Sequence, residues 1–180
     1  MTTVNYFNCP YVIKKFDKHD ELKNDVLDCI NNQSSFKIKS DTTNIRSDWG
    51  SYKNTSKKYW SILEKDINLY LKNIFCDILG YSDFIVGNYW YQQYTKDGSH
   101  GWHTHLHTMW TSVYYLEMPD DAPKTQCIDP LTKNVIDIDA SEGDILTFPS
   151  LIIHRAPLVT SDCRKTILSW HCESSYNISY

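Results

Sequence analysis

The spacing of apolar residues changes at Gly80, and this change constrains the fold more than any other feature of the chain. Before Gly80 apolar residues fall three to four positions apart, which predicts a helix from Ser56 to about Leu79. An opening strand within residues 1–18 and a helix from Asp20 to about Asn31 precede it. After Gly80 short runs of β-branched and aromatic residues predict strands at 84–94, 104–117, 134–139, 144–149, 152–158 and 165–172.

This order of elements indicates an α+β fold with a double-sheet β core. At 180 residues the chain is expected to form one domain spanning 1–180. Its N-terminal helical support would cover about 1–80 and its β core about 81–175. Residues 32–55 and 118–134 are predicted to be surface loops and candidate lids.

The composition excludes several functional classes. A net charge of −4 provides no basic surface for nucleic acid. Residues 1–6 lack the features of a signal peptide, and no stretch is long and apolar enough to span a bilayer. The six cysteines form no Cys-x-x-Cys pair, so we expect free thiols rather than disulfides or a zinc site. These features favour a cytoplasmic protein without a membrane or nucleic-acid partner.

Histidines alternate at positions 103, 105 and 107, and a further one follows at position 154. In an extended chain alternate side chains point the same way, about 6.6 Å apart. Two of these imidazoles and His154 on a later strand can therefore converge on one metal ion. Spacing alone leaves open which two of His103, His105 and His107 would bind. A single isolated histidine would instead indicate a hydrogen-bonded surface residue.

Ten residues after His154, Arg164 begins a predicted strand whose alternation places Thr166, Leu168 and Trp170 on the same face. An arginine on an apolar face is costly to desolvate unless it meets an anion. Its guanidinium can hold a carboxylate through two hydrogen bonds, with the Thr166 hydroxyl as a further donor. We expect such a carboxylate beside the metal. The alternative is an ion pair with an acidic residue of the chain itself.

Imidazole ligands, open coordination positions and a carboxylate anchor are typical of non-haem Fe(II) oxygenases. From about Asn88 to Glu173 the sequence resembles the Fe(II)/2-oxoglutarate-dependent dioxygenases, especially the prolyl-hydroxylase-like branch and small phage and bacterial members. The motifs that carry the resemblance are Trp102-His103-Thr104-His105, Ser112-Val113-Tyr114-Tyr115-Leu116, Gly143 to Ser150, His154, Arg164-Lys165-Thr166 and, more weakly, Ser47-Asp48-Trp49.

The resemblance implies a double-stranded β-helix, or jelly-roll, core and assigns roles to individual residues. His103 and His154 match the two metal-binding histidines of the family, and Arg164 matches the arginine that binds the far carboxylate of 2-oxoglutarate. The residues implied to surround this cosubstrate are Arg164, Thr166, Tyr115, Trp170 and either Tyr91 or Tyr94.

The sequence departs from the family at the third metal ligand. Most members have Asp or Glu two residues after the first histidine, and here that residue is His105. We expect His105 to be the third ligand, which gives a site with one negative charge fewer. Alternatively His105 lies outside the coordination sphere with water in its place, or Asp144 or Glu117 approaches the metal. Asp144 follows Gly143 and is expected to cap a turn.

The activity implied by the resemblance is hydroxylation of an unactivated C–H bond, using Fe(II), 2-oxoglutarate and O2 and releasing succinate and CO2. A prolyl residue is one candidate substrate, and other peptidyl residues and small molecules remain open, as does the oligomeric state. A phage-encoded member would act in the host cytoplasm.

Two other classes remain in view. One is a cupin-type metalloprotein, either a 2-oxoglutarate-independent dioxygenase or an isomerase. It would require a glutamate where Met109 and Trp110 stand. The other is a non-enzymatic β-sandwich binding module whose histidines are incidental.

Overall fold

The computed structural model describes residues 3, 9–33, 36–37, 44–49 and 57–176, and these residues form helices and two antiparallel β-sheets. The elements in chain order are β1 (Val12–Lys15), α1 (His19–Asn31), β2 (Phe36–Lys37), β3 (Ile45–Ser47), α2 (Lys58–Lys72), a π-helical turn (Asn73–Ile78), β4 (Asp83–Tyr94), β5 (His100–His103), β6 (Trp110–Glu117), β7 (Gln126–Ile128), β8 (Val135–Asp137), β9 (Asp144–Pro149), β10 (His154–Ala156) and β11 (Lys165–Ser175).

Both predicted helices are present. Three apolar residues of α2, Leu63, Ile67 and Leu71, are fully buried, as their spacing predicts. The chain then continues through the π-helical turn and leaves it at Gly80, whose φ of +75° suits a residue without a side chain. Helix α1 begins one residue before the predicted Asp20, which lies in its first turn rather than at its cap. Ser56 lies outside the described residues.

The larger sheet has seven strands in the order β1-β9-β6-β11-β4-β3-β2. The smaller sheet has four strands in the order β5-β10-β7-β8. Because β11 lies between β6 and β4, both of its edges are paired, and it runs through the middle of the larger sheet.

Alternate residues of the larger sheet face two different cores. On one side, Tyr114, Leu168 and Trp170 pack against the helices. On the other side, Tyr115 and Ile167 pack with Cys127 and further residues of the smaller sheet. The fold therefore has three layers, with helices on one face of the larger sheet and the smaller sheet on its other face. This mostly β architecture with two helices agrees with the predicted α+β class.

Three predicted segments differ from the structure. The predicted strand 104–117 begins only at Trp110, as β6, and a connection separates it from β5, which ends at His103 and was not predicted. The backbone of this connection bonds to a neighbouring turn instead, with the N–H of His105 on the carbonyl of Ser150 at 3.0 Å. β7 lies within predicted loop 118–134 and β3 within predicted loop 32–55, because pairing with neighbouring strands outweighs their weak local pattern.

The Ser47-Asp48-Trp49 element fixes β3 and the start of α2 to β4. The buried Asp48 carboxylate accepts hydrogen bonds from the Tyr59 hydroxyl at 2.8 Å and the Tyr91 N–H at 3.0 Å. The Lys57 ammonium lies 3.0 Å from the same carboxylate. Much of predicted loop 32–55 lies outside the described residues, so its role as a lid stays a prediction.

All six cysteines are free thiols, as expected. Within the described part of the chain, every helix is too short or too polar to cross a membrane.

Candidate metal centre

Three histidines converge where the edge of the smaller sheet meets a loop. His103 is the last residue of β5 and lies opposite His154, the first residue of β10, in the antiparallel pairing of these strands. His105 follows two residues later in the β5–β6 connection. One ring nitrogen from each histidine lies within 4.8 Å of the other two, and His105 Nε2 is 3.3 Å from His154 Nε2.

The outward-facing nitrogen of each ring has a hydrogen-bond partner. His103 Nδ1 lies 2.8 Å from the Gly101 carbonyl, and His154 Nδ1 lies 2.9 Å from the Ile152 carbonyl. A carbonyl only accepts, so each Nδ1 carries the proton and each Nε2 carries a lone pair. His105 Nδ1 lies 3.1 Å from His171 Nε2.

This arrangement fits a bound cation. His105 Nε2 and His154 Nε2 lie 3.3 Å apart, and a metal ion or a shared proton between them would satisfy both nitrogens. Burial, with the neighbouring imidazoles as a further cause, lowers the pKa of His105 to about 2 and that of His154 to about 4. Burial also lowers the pKa of His103. The rings are therefore neutral near pH 7, which is the form that binds metals.

A cavity of about 210 Å³ opens beside the three histidines, between the two sheets. Its wall includes Trp90, Tyr94 and Val113 on one side and Ile167 and Ser169 of β11 on another. None of the described residues that line it is acidic. The wall is mostly aromatic and apolar, although Gln92 and the basic residue Arg155 also line it.

Tyr115 and Tyr94 belong to the core on the cavity side of the larger sheet, and Tyr94 lines the cavity, whereas Tyr91 belongs to the core that faces the helices. The buried hydroxyl of Tyr115 donates to Thr125 Oγ1 at 2.8 Å, and Thr125 lines the cavity. Burial raises the pKa of both Tyr94 and Tyr115. Each phenol therefore keeps its proton at neutral pH.

The structure does not bring Arg164 into the cavity. Its Nε and Nη2 donate to the Glu117 carboxylate at 2.8 and 3.0 Å, and the Thr166 hydroxyl donates to the same carboxylate at 2.8 Å. Arg164 and Thr166 thus share a carboxylate, as predicted, but it belongs to the chain itself. Trp170, which was predicted to contact the cosubstrate, does not line the cavity and is fully buried against Trp60 and the helices.

Arg164 and Trp170 do not reach the cavity because alternate residues of β11 face opposite sides of the sheet. Ile167 and Ser169 line the cavity, so residues in phase with Thr166 must face the helices. Neither of the two carboxylates considered as alternative ligands belongs to the histidine group. Glu117 is bound by Arg164, and Asp144 caps a turn by accepting the Ser141 N–H at 2.8 Å. Among the described residues, the group with metal-ligand geometry therefore contains three histidines and no carboxylate.

Lys165 was missed in the sequence; it is in phase with Ile167 and Ser169 of the cavity wall, although it is not itself one of the residues that line the cavity. It is only 1% exposed, and its ammonium donates to the Pro123 carbonyl at 2.6 Å. The same ammonium lies 5.5 Å from the centre of the Tyr115 ring. Burial lowers the pKa of Lys165 to about 8. The signal available in the sequence was its alternation with Ile167 and Ser169.

His100 and His171 were also missed. His100 stacks on His103 with 4.0 Å between ring centres, and it lines the cavity. His171 is the next residue after Ser169 on the cavity side of β11. His107, one of the three alternating histidines, is exposed on a turn with a φ of +64° and is not part of the group.

Comparison with known sequences agrees with this site. Residues 88–170, a little under half of the chain, match the family model described as "Putative 2OG-Fe(II) oxygenase". The segment that contains the three histidines is thus similar to 2OG-Fe(II) oxygenases, the superfamily predicted from the motifs. The family is named for the predicted metal, Fe(II), and the predicted cosubstrate, 2-oxoglutarate. No curated protein sequence matches the chain significantly.

Solved structures share the fold over nearly the whole chain. A 2OG-Fe(II) oxygenase family oxidoreductase from Burkholderia pseudomallei is 13% identical with a TM-score of 0.72, covering 93% of this chain and 88% of that one. A prolyl-4-hydroxylase from Pseudomonas putida is 14% identical with a TM-score of 0.61, covering 91% and 92%. HygX from Streptomyces hygroscopicus, solved with nickel, 2-oxoglutarate and hygromycin B, is 9% identical with a TM-score of 0.70, covering 92% and 83%.

Proposed function

We propose that this protein is an Fe(II)- and 2-oxoglutarate-dependent oxygenase whose metal ligands are His103, His105 and His154. The observation that carries the proposal is the convergence of three neutral imidazoles beside an apolar cavity. We also propose that the chain is one domain and that its two sheets form a jelly roll. Their strand orders, with the chain alternating between facing sheets, support this architecture.

The residues of the chain would hold the metal, orient it and exclude water. Bound Fe(II), with 2-oxoglutarate and O2, would supply the oxidising power to hydroxylate a C–H bond, with release of succinate and CO2. Hydrogen bonds from Nδ1 fix the rings of His103 and His154, so that Nε2 of each points toward the metal. Trp90 and Tyr94 would shield the reacting atoms from solvent.

We propose Lys165, rather than Arg164, as the residue that binds the far carboxylate of 2-oxoglutarate. Arg164 already has a carboxylate partner in Glu117, and its strand phase directs it away from the cavity. The Lys165 ammonium can donate three hydrogen bonds, and one described acceptor, the Pro123 carbonyl, lies within reach. A buried ammonium with so few acceptors is costly, and an anion beside it would offset that cost.

The neighbours of Lys165 support the same location. The hydroxyls of Tyr115 and Thr125 bond to each other on this side of the sheet, and either can turn toward a ligand carboxylate. Tyr94 and Ile167 complete the wall next to them. An oxyacid held here would extend from Thr125 and Ile167 of the cavity wall toward the three histidines, with the Lys165 ammonium beside Tyr115.

The substrate would be a C–H group brought to the open side of the cavity, where Trp49 and His100 lie. A prolyl residue is the candidate supported by two structural relatives, the Pseudomonas putida prolyl-4-hydroxylase and a prolyl hydroxylase of Trichoplax adhaerens bound to a peptide fragment. The HygX structure holds hygromycin B, so a small molecule is a second candidate.

Succinate release from 2-oxoglutarate tests the proposed function. Anaerobically purified protein, supplied with Fe(II) and then with O2, is expected to form succinate, and His154→Ala is expected to reduce this to background. His107→Asn is the matched control, since His107 lies outside the site and asparagine tolerates its positive φ. Wild-type protein that binds neither Fe(II) nor 2-oxoglutarate would contradict the proposal and favour a binding module. Metal binding without 2-oxoglutarate binding would favour the cupin alternative.

A further inference from the structure

We propose that His171 is a positioning residue that fixes the ring of His105 by accepting the hydrogen bond from its Nδ1–H. This inference rests on the proposed function, in which His105 binds the metal through Nε2. In this proposal a fourth histidine, His171, does not touch the metal but keeps the ring of His105 in the orientation and tautomer that can bind it.

The three candidate ligands are held in different ways. Backbone carbonyls hold the rings of His103 and His154, and both residues lie in paired strands. His105 lies outside the strands, and its side chain has a histidine, His171, at Nδ1, with 3.1 Å between the two nitrogens. One imidazole must donate and the other accept in such a pair. If His105 donates from Nδ1, its Nε2 keeps the lone pair that a metal needs.

The fold holds His171 in place for this contact. In the pairing of β11 with β4, Trp170 lies opposite Tyr89 and Cys172 lies opposite Val86. Two residues of β4, Gly87 and Asn88, therefore face the single residue His171. A bulge of this kind changes the local twist and redirects side chains, and bulges are common beside active sites.

Trp90 holds both rings of the pair from one side. Its ring lies edge-on to His171 at 4.9 Å between centres and 5.8 Å from His105. The ring centres of His105 and His171 are themselves 4.9 Å apart at an interplanar angle of 68°. Trp90 is buried and cannot rotate freely, so neither ring can turn without disturbing it.

This arrangement suits a metal site built without a carboxylate. A carboxylate acceptor behind a histidine ligand orients the ring and also adds negative charge near the metal. A neutral imidazole acceptor orients the ring and adds none. The position that is acidic in most members of the family is His105 in this chain, and its partner His171 is neutral as well. Metal binding would therefore depend on how well the imidazole rings are positioned, without a negative charge beside them.

The test compares His171→Phe, His171→Gln and the control His107→Asn in the full chain. Phenylalanine keeps a ring against Trp90 but removes the acceptor, whereas the glutamine side-chain carbonyl can restore it. The probe is Co(II) under anaerobic conditions, with its dissociation constant measured by calorimetry and its visible absorption recorded. In the metal-free protein, long-range ¹H–¹⁵N spectra report which nitrogen of His105 carries the proton.

Wild-type protein is expected to show His105 protonated at Nδ1. His171→Phe is expected to weaken Co(II) binding about 10- to 100-fold and to mix the two His105 tautomers. His171→Gln is expected to recover most of the affinity, and His107→Asn to match wild type. Equal Co(II) affinity in His171→Phe and wild type, or a His105 tautomer unchanged by that substitution, would overturn the inference. Failure of the wild type itself to bind Co(II) would instead overturn the proposed metal site.

If His171→Phe does not fold, the Co(II) affinity and the His105 tautomer of His171→Gln test the inference. Its circular dichroism would first establish a native fold. Folded His171→Gln with wild-type affinity and a Nδ1-protonated His105 supports the role, since the acceptor is the feature that it shares with the wild type. A folded glutamine variant that has lost the Nδ1 proton of His105 and still binds Co(II) normally contradicts it.

Discussion

The two faces of β11 carry similar residues, but one face packs against the helices and the other faces the cavity. Each face has a basic residue at its start and then mainly apolar or small side chains. On the helix-facing side Arg164 binds Glu117, and Trp170 fills the core beneath the helices. On the cavity side Lys165 is buried with one carbonyl partner, and His171 contacts a candidate metal ligand. A shift of one residue in the assumed phase of this strand therefore decides whether Arg164 or Lys165 is assigned to the cavity side.

Replacement of Lys165 gives the largest expected effect on the cavity side. Lys165→Met should weaken 2-oxoglutarate binding about 100-fold or more, because it removes the buried charge that would face the carboxylate. Titration of Co(II)-loaded protein with 2-oxoglutarate under anaerobic conditions measures this change. Arg164→Met is the matched control and should bind 2-oxoglutarate like wild type. The opposite ranking of the two variants would restore Arg164 as the binding residue.

Replacement of Trp170 gives the largest expected effect on the helix-facing side. Trp170→Ala should lower the free energy of unfolding by about 3–5 kcal/mol, because it leaves a cavity in a fully buried core. Urea denaturation measures the loss. The folded fraction should still bind 2-oxoglutarate with wild-type affinity. A specific loss of that affinity, with stability retained, would mean that Trp170 lines the cosubstrate pocket after all.

The pH dependence of stability should separate the two basic residues. Burial lowers the pKa of Lys165 to about 8 in the folded protein, below the usual value of about 10.4. Between these values the unfolded chain binds more protons than the folded one, so the free energy of unfolding should rise as the pH increases through this window. Urea denaturation of metal-free protein between pH 7.5 and about 10.5 tests this expectation. Lys165→Met should reduce the rise, and Arg164→Met should keep it.

Removal of the Arg164–Glu117 ion pair should have the smallest effect. The pair is partly exposed, so Arg164→Met should lower the free energy of unfolding by no more than about 1 kcal/mol. Chemical denaturation measures this loss of stability. Lys96→Met, which removes the exposed ion pair between Lys96 and Asp162, is the reference for a surface pair. A loss several times larger would show that Arg164 supports more of the fold than its contact with Glu117 suggests.

Much of the fold could be predicted because periodicity reports burial directly. The spacing of Leu63, Ile67 and Leu71 predicted α2, and alternation predicted most strands of the two sheets. The strands that were missed, β2, β3, β5 and β7, have two to four residues each, and their pairing partners stabilise them more than their own sequence does.

The proposed metal ligands could be predicted because they form a local motif, whereas the proposed cosubstrate anchor could not. His103 and His105 are two residues apart, so their proximity does not depend on the rest of the fold. The step from His154 to β11 passes through the irregular segment 157–164, and counting across it cannot fix the phase of the strand that follows. His171 was missed for the same reason, since it shares the strand phase of Ile167 and Ser169.

A crystal structure of the protein grown anaerobically with Mn(II) and 2-oxoglutarate tests the central claim most directly. It should show one metal ion on Nε2 of His103, His105 and His154, with the far carboxylate of 2-oxoglutarate on the Lys165 ammonium. A metal bound elsewhere, a metal that leaves out His105, or a carboxylate held by Arg164 would contradict the account.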